Sequence, residues 1–258
     1  MSGDPYSGAA SRWASGASLV YGPAAEALVR RCPHPLEGRL VLDAGAGTGA
    51  ATAPLVAAGA RVVAVDRSAG MLGWRAADRP PSVVADVRAL PLGDDAVAAA
   101  VAAFVLNHLP DPVRGLAELG RVTRRGGAVL ASVFATDFRS ALRDRVDAAA
   151  ADAGWQVPDW YLAMKADTVP LVGDAPAMAR AAREAGLDDV AAEQCTVDVG
   201  IERAEQLVDY RFGQAPFAAW LDALGVRRAG DVRSAAVAAL PARVAYRPRV
   251  VVLVARAR

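Results

Sequence analysis

The sequence has few lysines, histidines and cysteines, and these shortages exclude several classes of protein. Its 258 residues include two cysteines, two histidines and a single lysine, Lys165, which follows no glycine-rich loop. Cys32 and Cys195 are too few for a disulfide framework, and no His/Cys cluster has metal-ligand spacing, so we expect no metal site. The position of the lysine excludes a Walker-type nucleotide site, and without a Gly-x-Ser-x-Gly motif a serine hydrolase is disfavoured.

Excess charge and long apolar runs are also absent. The formal net charge is +1, which provides no long-range field for nucleic acid or for an acidic membrane. No apolar stretch reaches membrane-spanning length without a charge, glycine or proline, and residues 1–16 lack the pattern of a secretory signal. We therefore expect a cytoplasmic protein with neither nucleic-acid nor membrane partners.

What the chain does contain is a regular alternation of short apolar runs and helical segments. Hydrophobic residues make up 54% of the sequence, enough for a large core. Helices are predicted at 50–58, 68–77 and 113–122, and strands at 39–44, 61–66, 82–87, 97–105, 127–134, 195–199 and 249–255. Nearly continuous apolar strands that alternate with helices predict a doubly wound α/β sheet of seven mostly parallel strands.

Two segments exceed what a minimal sheet needs, and they predict a helical cap on a single domain. Residues 1–38 are expected to form a helical lid broken by glycines, and 39–135 the core, with the cap at 136–185 and 202–240. Insertions at the carboxyl ends of strands usually build the substrate pocket. The candidate substrate residues are Trp155, Trp160, Tyr161, Tyr210 and Arg211. Packing of these aromatics onto the sheet is an equally good interpretation.

The most informative motif is the glycine-rich run at 41–49, which ends a predicted strand and is followed by Asp66 at the end of the next. Glycines let the backbone approach a ligand, and the acid can accept hydrogen bonds from ribose hydroxyls. The glycines alone also satisfy the relaxed dinucleotide pattern, so an NAD-dependent oxidoreductase is one alternative. Asp43 and Asp86 add two more strand-end carboxylates, which favour a small cationic nucleoside and would repel a pyrophosphate.

With these residues the sequence resembles the class I S-adenosylmethionine-dependent methyltransferases, especially the ubiquinone/menaquinone-biosynthesis-like group. The resemblance covers residues 38–135 in order and spacing and is carried by 41–49, 65–72, 85–92, 104–112 and 118–127. Two positions depart from the family pattern. Arg125 stands before Gly126 and Gly127 where the family usually has proline, and Asn107 precedes His108 where many relatives have two histidines.

The resemblance implies a site for S-adenosylmethionine, with S-adenosylhomocysteine as the product. By that resemblance the glycine turn holds the methionine portion, with Asp43 near its amino group. Asp66 takes the ribose hydroxyls, and Met71 covers the adenine. Asp43 could instead be an acid at a helix N-terminus, and Met71 an ordinary core residue. The full implied set is Asp43, Gly45, Ala46, Gly47, Gly49, Asp66, Arg67, Met71, Asp86, Val87, Phe104 and Val105.

The same resemblance also assigns residues to the adenine amino group and to the sulfonium of the cofactor. Asp86 accepts a hydrogen bond from the adenine amino group beside the Val87 amide, and Phe104 and Val105 border the sulfonium. Asp86 could also cap a turn, and Phe104 could pack the sheet.

One histidine is a candidate catalytic base. Methyl transfer to oxygen or nitrogen often needs proton removal, which histidine performs well near neutral pH. His34 lies in a proline linker, whereas His108 follows the fourth strand, where cofactor and substrate would meet. A structural role in which His108 orders the loop is the alternative.

Arginines and N-terminal aromatics are the remaining candidates. Arg139, Arg143, Arg145 and Arg211 could recognise a substrate carboxylate, although a solvated helix face explains the first three more simply. Arg211, between two aromatic residues, is the better candidate. Tyr6, Trp13 and Tyr21 could share a helix face and either touch the cofactor or fasten the segment to the core.

The sequence therefore predicts S-adenosylmethionine-dependent methylation of a small-molecule acceptor on oxygen or nitrogen, in secondary metabolism. One alternative is the same fold binding the cofactor without methyl transfer, as a cyclase or scaffold. The NAD-dependent oxidoreductase is the weaker alternative, and a nucleic-acid or protein methyltransferase is disfavoured because no basic face is evident. The sequence does not predict the acceptor or the oligomeric state.

Overall fold

A computed structural model describes residues 4–258 and contains a seven-stranded sheet with the strand order β3-β2-β1-β4-β5-β9-β6. The five strands from β3 to β5 are parallel, and β9 runs antiparallel between β5 and β6. The predicted doubly wound, mostly parallel sheet is confirmed. Its strands are β1 (Leu40–Ala44), β2 (Arg61–Asp66), β3 (Ser82–Val84), β4 (Val97–Ala103), β5 (Thr123–Phe134), β6 (Asp188–Thr196) and β9 (Arg249–Arg256).

Helices cover both faces of this sheet and form the cap. The helices nearest the core strands are α3 (Thr52–Ala57), α4 (Ala69–Leu72), α5 (Pro112–Val122) and α8 (Ala175–Glu184). The N-terminal segment contributes α1 (Ala10–Arg12) and α2 (Ser18–Val29), joined by a π-helical turn. The cap contains α6 (Ala141–Asp152), α7 (Asp159–Ala163), α9 (Ala204–Phe212) and α10 (Ala215–Ala238), the last kinked at Gly225.

Side chains alternate along the strands between two apolar cores, one on each face of the sheet. Val41 and Val101 lie in the core that includes α2 and the cap, whereas Leu42 and Ala100 lie in the core beneath α5 and α8. Both sets are fully buried. Burial on both faces explains why these strands are apolar throughout.

The structure differs from the predicted elements mainly at the edges of the sheet. The strand predicted at 195–199 lies instead at Asp188–Thr196. This strand, β6, is at the edge of the sheet, and its side chains are only partly buried. Polar residues therefore occupy most of its length and hide it from a search for apolar runs. A small antiparallel pair, β7 (Ile201–Arg203) and β8 (Arg243–Tyr246), closes the base of the second cap segment and was not predicted.

The N-terminal segment corrects one prediction about glycine. Gly8, Gly16 and Gly22 were expected to interrupt the helix, but the helical backbone continues through Gly16 and Gly22. A Cβ atom at Gly16 would lie 2.1 Å from the carbonyl oxygen of Asp209, and one at Gly213 would lie 2.4 Å from the nitrogen of Ala17. These glycines therefore allow close contact between the N-terminal helix and α9. Residues 1–3 of the predicted lid lie outside the described residues.

Within residues 4–258, we find no helix with both the length and the apolar character needed to span a membrane.

Candidate cofactor and acceptor site

The glycine turn after β1 presents bare backbone at the carboxyl edge of the sheet. Gly45, Gly47 and Gly49 all have positive φ angles, of 70°, 52° and 105°, which side chains with a Cβ rarely adopt. A Cβ atom at Gly45 would also lie 2.2 Å from Cγ2 of Val105. The turn therefore requires glycine for both its conformation and its packing, and it leaves backbone groups exposed to the space above them.

Asp66, the last residue of β2, is tied to this turn. One carboxylate oxygen accepts the backbone N–H of Gly47 at 2.8 Å, and the other accepts that of Ser68 at 2.8 Å. Burial raises the pKa of Asp66, and the two backbone donors oppose that rise. Each oxygen retains lone-pair capacity, so the carboxylate can accept further hydrogen bonds from a ligand.

Asp43 lies beneath the glycine turn, where it is 1% exposed. It accepts a hydrogen bond of 2.6 Å from the Thr52 hydroxyl at the start of α3. Burial raises the pKa of Asp43 to about 6, while Thr52 and the nearby Arg79 moderate the rise. Asp43 does not line the cavity above the glycine turn. It is a buried residue that supports the turn from the N-terminus of α3.

Arg79 is a supporting residue that sequence reasoning missed. Its Nη1 donates to the carbonyl oxygens of Gly47 at 2.7 Å and Met71 at 3.2 Å, which connects the glycine turn to α4. It follows no recognisable motif, because its role depends on a contact across 32 residues of chain.

Asp86, in the loop after β3, faces the cavity above the glycine turn. Its charge is paired with that of Arg88. Arg88 bridges to it at 2.7 Å and also donates its backbone N–H to the carboxylate at 2.8 Å. These hydrogen bonds with Arg88 hold the pKa of Asp86 below its usual range. The turn-capping interpretation of Asp86 is therefore realised, and fewer of its lone pairs are free for a ligand.

Phe104, the first residue after β4, has a strained conformation. Its φ angle of 61° is in the left-handed region, which costs a non-glycine residue of order 1–3 kcal/mol. The strained backbone directs the ring into an aromatic group, 5.0 Å from Tyr21 and 4.7 Å from Phe134 between ring centroids. This group separates two adjoining cavities.

The first, which we call the glycine-turn cavity, has a volume of about 350 Å³. The predicted cofactor residues that line it are Gly45, Ala46, Gly47, Asp66, Arg67, Met71, Asp86, Val87, Phe104 and Val105. Asp43 and Gly49 of the predicted set do not line it.

The second, the cap cavity, has a volume of about 510 Å³ and lies beneath the cap. Tyr161, Tyr210 and Arg211 of the predicted substrate residues line it, whereas Trp160 lines the glycine-turn cavity. The two cavities share five lining residues, namely Tyr6, Trp13, Tyr21, His108 and Met164. A molecule in one cavity therefore lies next to a molecule in the other.

Trp155 is a correction to the predicted substrate residues, because it lines neither cavity. Its ring is buried and stacks on Phe217 with centroids 4.0 Å apart, and its Nε1 donates to the carbonyl oxygen of Pro216 at 3.1 Å. It packs the two cap segments together.

His108 lies at the boundary between the cavities. Its Nδ1 is 3.3 Å from the Tyr6 hydroxyl, and the two rings meet edge to face. Burial, together with the positive charges of Arg67 and Lys165, lowers the pKa of His108 to about 4. The imidazole is therefore neutral at pH 7.

The structure reverses the roles predicted for Arg143 and Arg211. Arg211 is buried and forms a two-pronged ion pair with Asp147 at 2.6 and 2.8 Å. Arg143, which was expected on a solvated helix face, lines the cap cavity instead. Sequence alone gave no signal for it, since Arg139 and Arg145 on either side look the same.

The residues fit the implied cofactor on grounds of shape and chemistry. Gly47 leaves an open wall opposite Met71, whose Cε would lie 3.4 Å from a Cβ atom at that glycine. Asp66 supplies an anionic acceptor in a partly dehydrated position beside it. Bare backbone, a flexible apolar side chain and a carboxylate suit a nucleoside with ribose hydroxyls. Within residues 4–258, no cluster of three or more metal-ligating side chains is found.

Comparison with known proteins gives consistent sequence matches. Residues 42–131 match the family described as a methyltransferase domain. The demethylmenaquinone methyltransferase of Mycobacterium tuberculosis is 42% identical over 99 residues, which are 38% of this chain and 42% of the relative. That of Mycolicibacterium gilvum is 36% identical over 157 residues, which are 58% of this chain and 68% of the relative. The match thus spans about two fifths of the length of the first of these relatives.

Solved structures share the fold at low sequence identity. A phosphoethanolamine N-methyltransferase of Haemonchus contortus, in complex with S-adenosylhomocysteine, gives a TM-score of 0.59 at 15% identity over 91% of this chain and 52% of that one. The [4+2]-cyclase SpnF gives 0.54 at 18% identity over 90% and 79%. At such identities the likeness extends to the fold alone.

Proposed function

The chain belongs to the class I S-adenosylmethionine-dependent methyltransferase family, in its ubiquinone/menaquinone-biosynthesis-like group, and from this premise we propose that it methylates a small-molecule acceptor. The cofactor is S-adenosylmethionine. The observation that carries the proposal is the adjacency of the two cavities, which share Tyr6, Trp13, Tyr21, His108 and Met164. One cavity has the residues for the cofactor, and the other has room for an acceptor.

In this proposal the core at 39–135 binds the cofactor, and the cap at 136–185 and 202–240 binds the acceptor. Bound S-adenosylmethionine supplies an electrophilic methyl group on a sulfonium. Asp66 and the glycine turn would hold the ribose and methionine portions, and Met71 would lie against the base. Phe104 and Tyr21, in contact at the boundary, exclude water between the two molecules. The protein's contribution is therefore placement and dehydration.

We assign oxygen or nitrogen as the methylated atom, with His108 as the group that receives the proton. With the proton on Nδ1, which can donate to the Tyr6 oxygen, Nε2 of His108 is the nitrogen that can accept a proton. A hydroxyl oxygen that gains a methyl group becomes a strong acid, so a neutral imidazole with a pKa of about 4 is basic enough to take its proton. A role in secondary metabolism belongs to the same proposal.

The relatives' names do not identify this acceptor. The family match ends at residue 131, before the cap begins. Arg143, Tyr161 and Arg211, which line the cap cavity, all lie beyond it. Cofactor binding therefore has direct support in related sequences, and the acceptor has to be inferred from the cap itself.

Mass spectrometry with methyl-deuterated S-adenosylmethionine tests the proposed function. A panel of phenols, hydroxyquinones and amines is incubated with the wild-type protein and with Asp66→Ala as the matched inactive variant. We expect S-adenosylhomocysteine and a product carrying the labelled methyl group with the wild type only. Conversion of a panel member without mass gain or cofactor consumption would instead indicate a cyclase or scaffold.

A further inference from the structure

The cap cavity contains an arginine whose charge is left unpaired. The cationic side chains that line this cavity are Arg139, Arg143, Lys165 and Arg211. Arg211 is neutralised by its two hydrogen bonds to Asp147, and it also donates to Gln214. Arg139 and Lys165 are exposed to solvent, which screens their charges.

Arg143 has no such compensation. Among residues 4–258 its guanidinium makes no salt bridge, and its Nε is buried without a hydrogen-bond partner. Asp144, the next residue along α6, lines the same cavity but is exposed and does not pair with it. A half-buried guanidinium whose Nε is dehydrated and unpaired is costly, because that dehydration is not offset. A protein that keeps one next to a ligand cavity has a use for it in binding.

The surroundings of Arg143 have a positive potential. Burial alone would raise the pKa of the Tyr161 hydroxyl, but Arg211, Lys165 and Arg143 together lower it. A planar guanidinium in such a field matches a carboxylate, which can accept two parallel hydrogen bonds from it.

Resting on the proposed function, we propose that the acceptor carries a carboxylate and that Arg143 binds it in the cap cavity. The methylated atom lies at the opposite end of the acceptor, beside His108, which lines both cavities. Arg143 thereby selects an aromatic or apolar acid over its neutral analogue and sets which end faces the methyl group. This assigns Arg143, rather than Arg211, as the specificity-determining arginine.

The experiment measures binding of matched acids and amides to the protein saturated with S-adenosylhomocysteine. The probes are hydroxybenzoate, hydroxyphenylpropanoate and hydroxynaphthoate, each with its primary amide, titrated by calorimetry at pH 7.5. We expect at least one acid to bind ten-fold or more tightly than its amide to the wild type. Arg143→Met should remove that preference, and Arg143→Lys should retain part of it.

The matched control is Arg145→Met, since Arg145 is on the same helix and exposed. It should keep the wild-type preference. Affinity for S-adenosylhomocysteine should be unchanged in every variant, because Arg143 does not line the glycine-turn cavity. If no acid binds more tightly than its amide, or if the preference survives in Arg143→Met, the proposal is overturned. Failure of the wild type to bind S-adenosylhomocysteine would refute the proposed function instead.

Discussion

Replacing Asp66 by alanine should abolish cofactor binding while leaving the fold largely intact. Its carboxylate accepts the N–H groups of Gly47 and Ser68, each at 2.8 Å, and lines the glycine-turn cavity. The substitution therefore removes both the acceptor proposed for the ribose hydroxyls and the anchor of the glycine turn. Binding should suffer more than stability, because the fold has other supports at this edge, such as Arg79.

The magnitude follows from the hydrogen bonds that are lost. A hydrogen bond to a charged group contributes about 1.5–3 kcal/mol, so two from the ribose amount to roughly 3–6 kcal/mol. At about 1.4 kcal/mol per factor of ten, affinity should fall by at least about 100-fold. For stability, two backbone donors lose their partner, but the cost of burying the Asp66 carboxylate, whose pKa burial raises, disappears as well. We expect a decrease in Tm of only about 2–6 °C.

The assay is calorimetric titration with S-adenosylmethionine and S-adenosylhomocysteine, accompanied by thermal melting. Asp94→Ala is the matched control, because Asp94 is 75% exposed and pairs with Arg121 away from the glycine turn. The control should bind as tightly as the wild type. Retention of tight binding by Asp66→Ala would refute the assignment of Asp66, and an equal loss in the control would show that the effect is not local.

Three further predictions concern stability. Burial and the charges of Arg67 and Lys165 lower the pKa of His108 from 6.5 to about 4. The unfolded chain therefore binds that proton more tightly, and the protein loses stability as pH falls from about 6.5 to 4. The free energy of unfolding is measured in urea as a function of pH, and His108→Asn should remove at most about 3 kcal/mol of that loss. A pH profile of the variant parallel to that of the wild type would contradict this. Burial raises the pKa of Asp43 from 3.8 to about 6, so the sign reverses and stability falls as pH rises from about 4 to 6. Asp43→Asn should recover up to about 3 kcal/mol above pH 6, whereas a variant less stable than the wild type at pH 8 would speak against it. Finally, Gly16→Ala should destabilise the protein by about 1–3 kcal/mol, because its Cβ would collide with the Asp209 carbonyl, while Gly22→Ala, with open space around it, should be neutral or stabilising. Equal melting temperatures for the two variants would disprove the close contact at Gly16.

The central sheet could be predicted because its physical signal is local. Strands such as Val97–Ala103 are buried on both faces, and this shows in the sequence as an uninterrupted apolar run. The edge strand Asp188–Thr196 lacks that signal because one side of it faces solvent. The predicted strand there was consequently displaced toward the C-terminus.

The candidate site likewise contains some features that could be predicted from the sequence and others that could not. The glycine turn and Asp66 follow strand ends in a recognisable order, so their proximity could be expected from topology. Whether the charge of an arginine is paired, in contrast, depends on residues that are distant in the sequence. Arg211 finds Asp147 across 64 residues, whereas Arg143 finds no acidic partner within residues 4–258, and neither fact is written in the local sequence. The same reasoning explains why Gly16 was interpreted as a helix breaker.

Parallel calorimetric titrations of the wild-type protein with S-adenosylmethionine, S-adenosylhomocysteine and NADH test the central claim most directly. Membership of the methyltransferase family, together with the glycine turn and Asp66, predicts that both sulfur-containing ligands bind and that NADH does not. Binding of NADH alone, or of none of the three, would contradict the assignment of the glycine-turn cavity to S-adenosylmethionine.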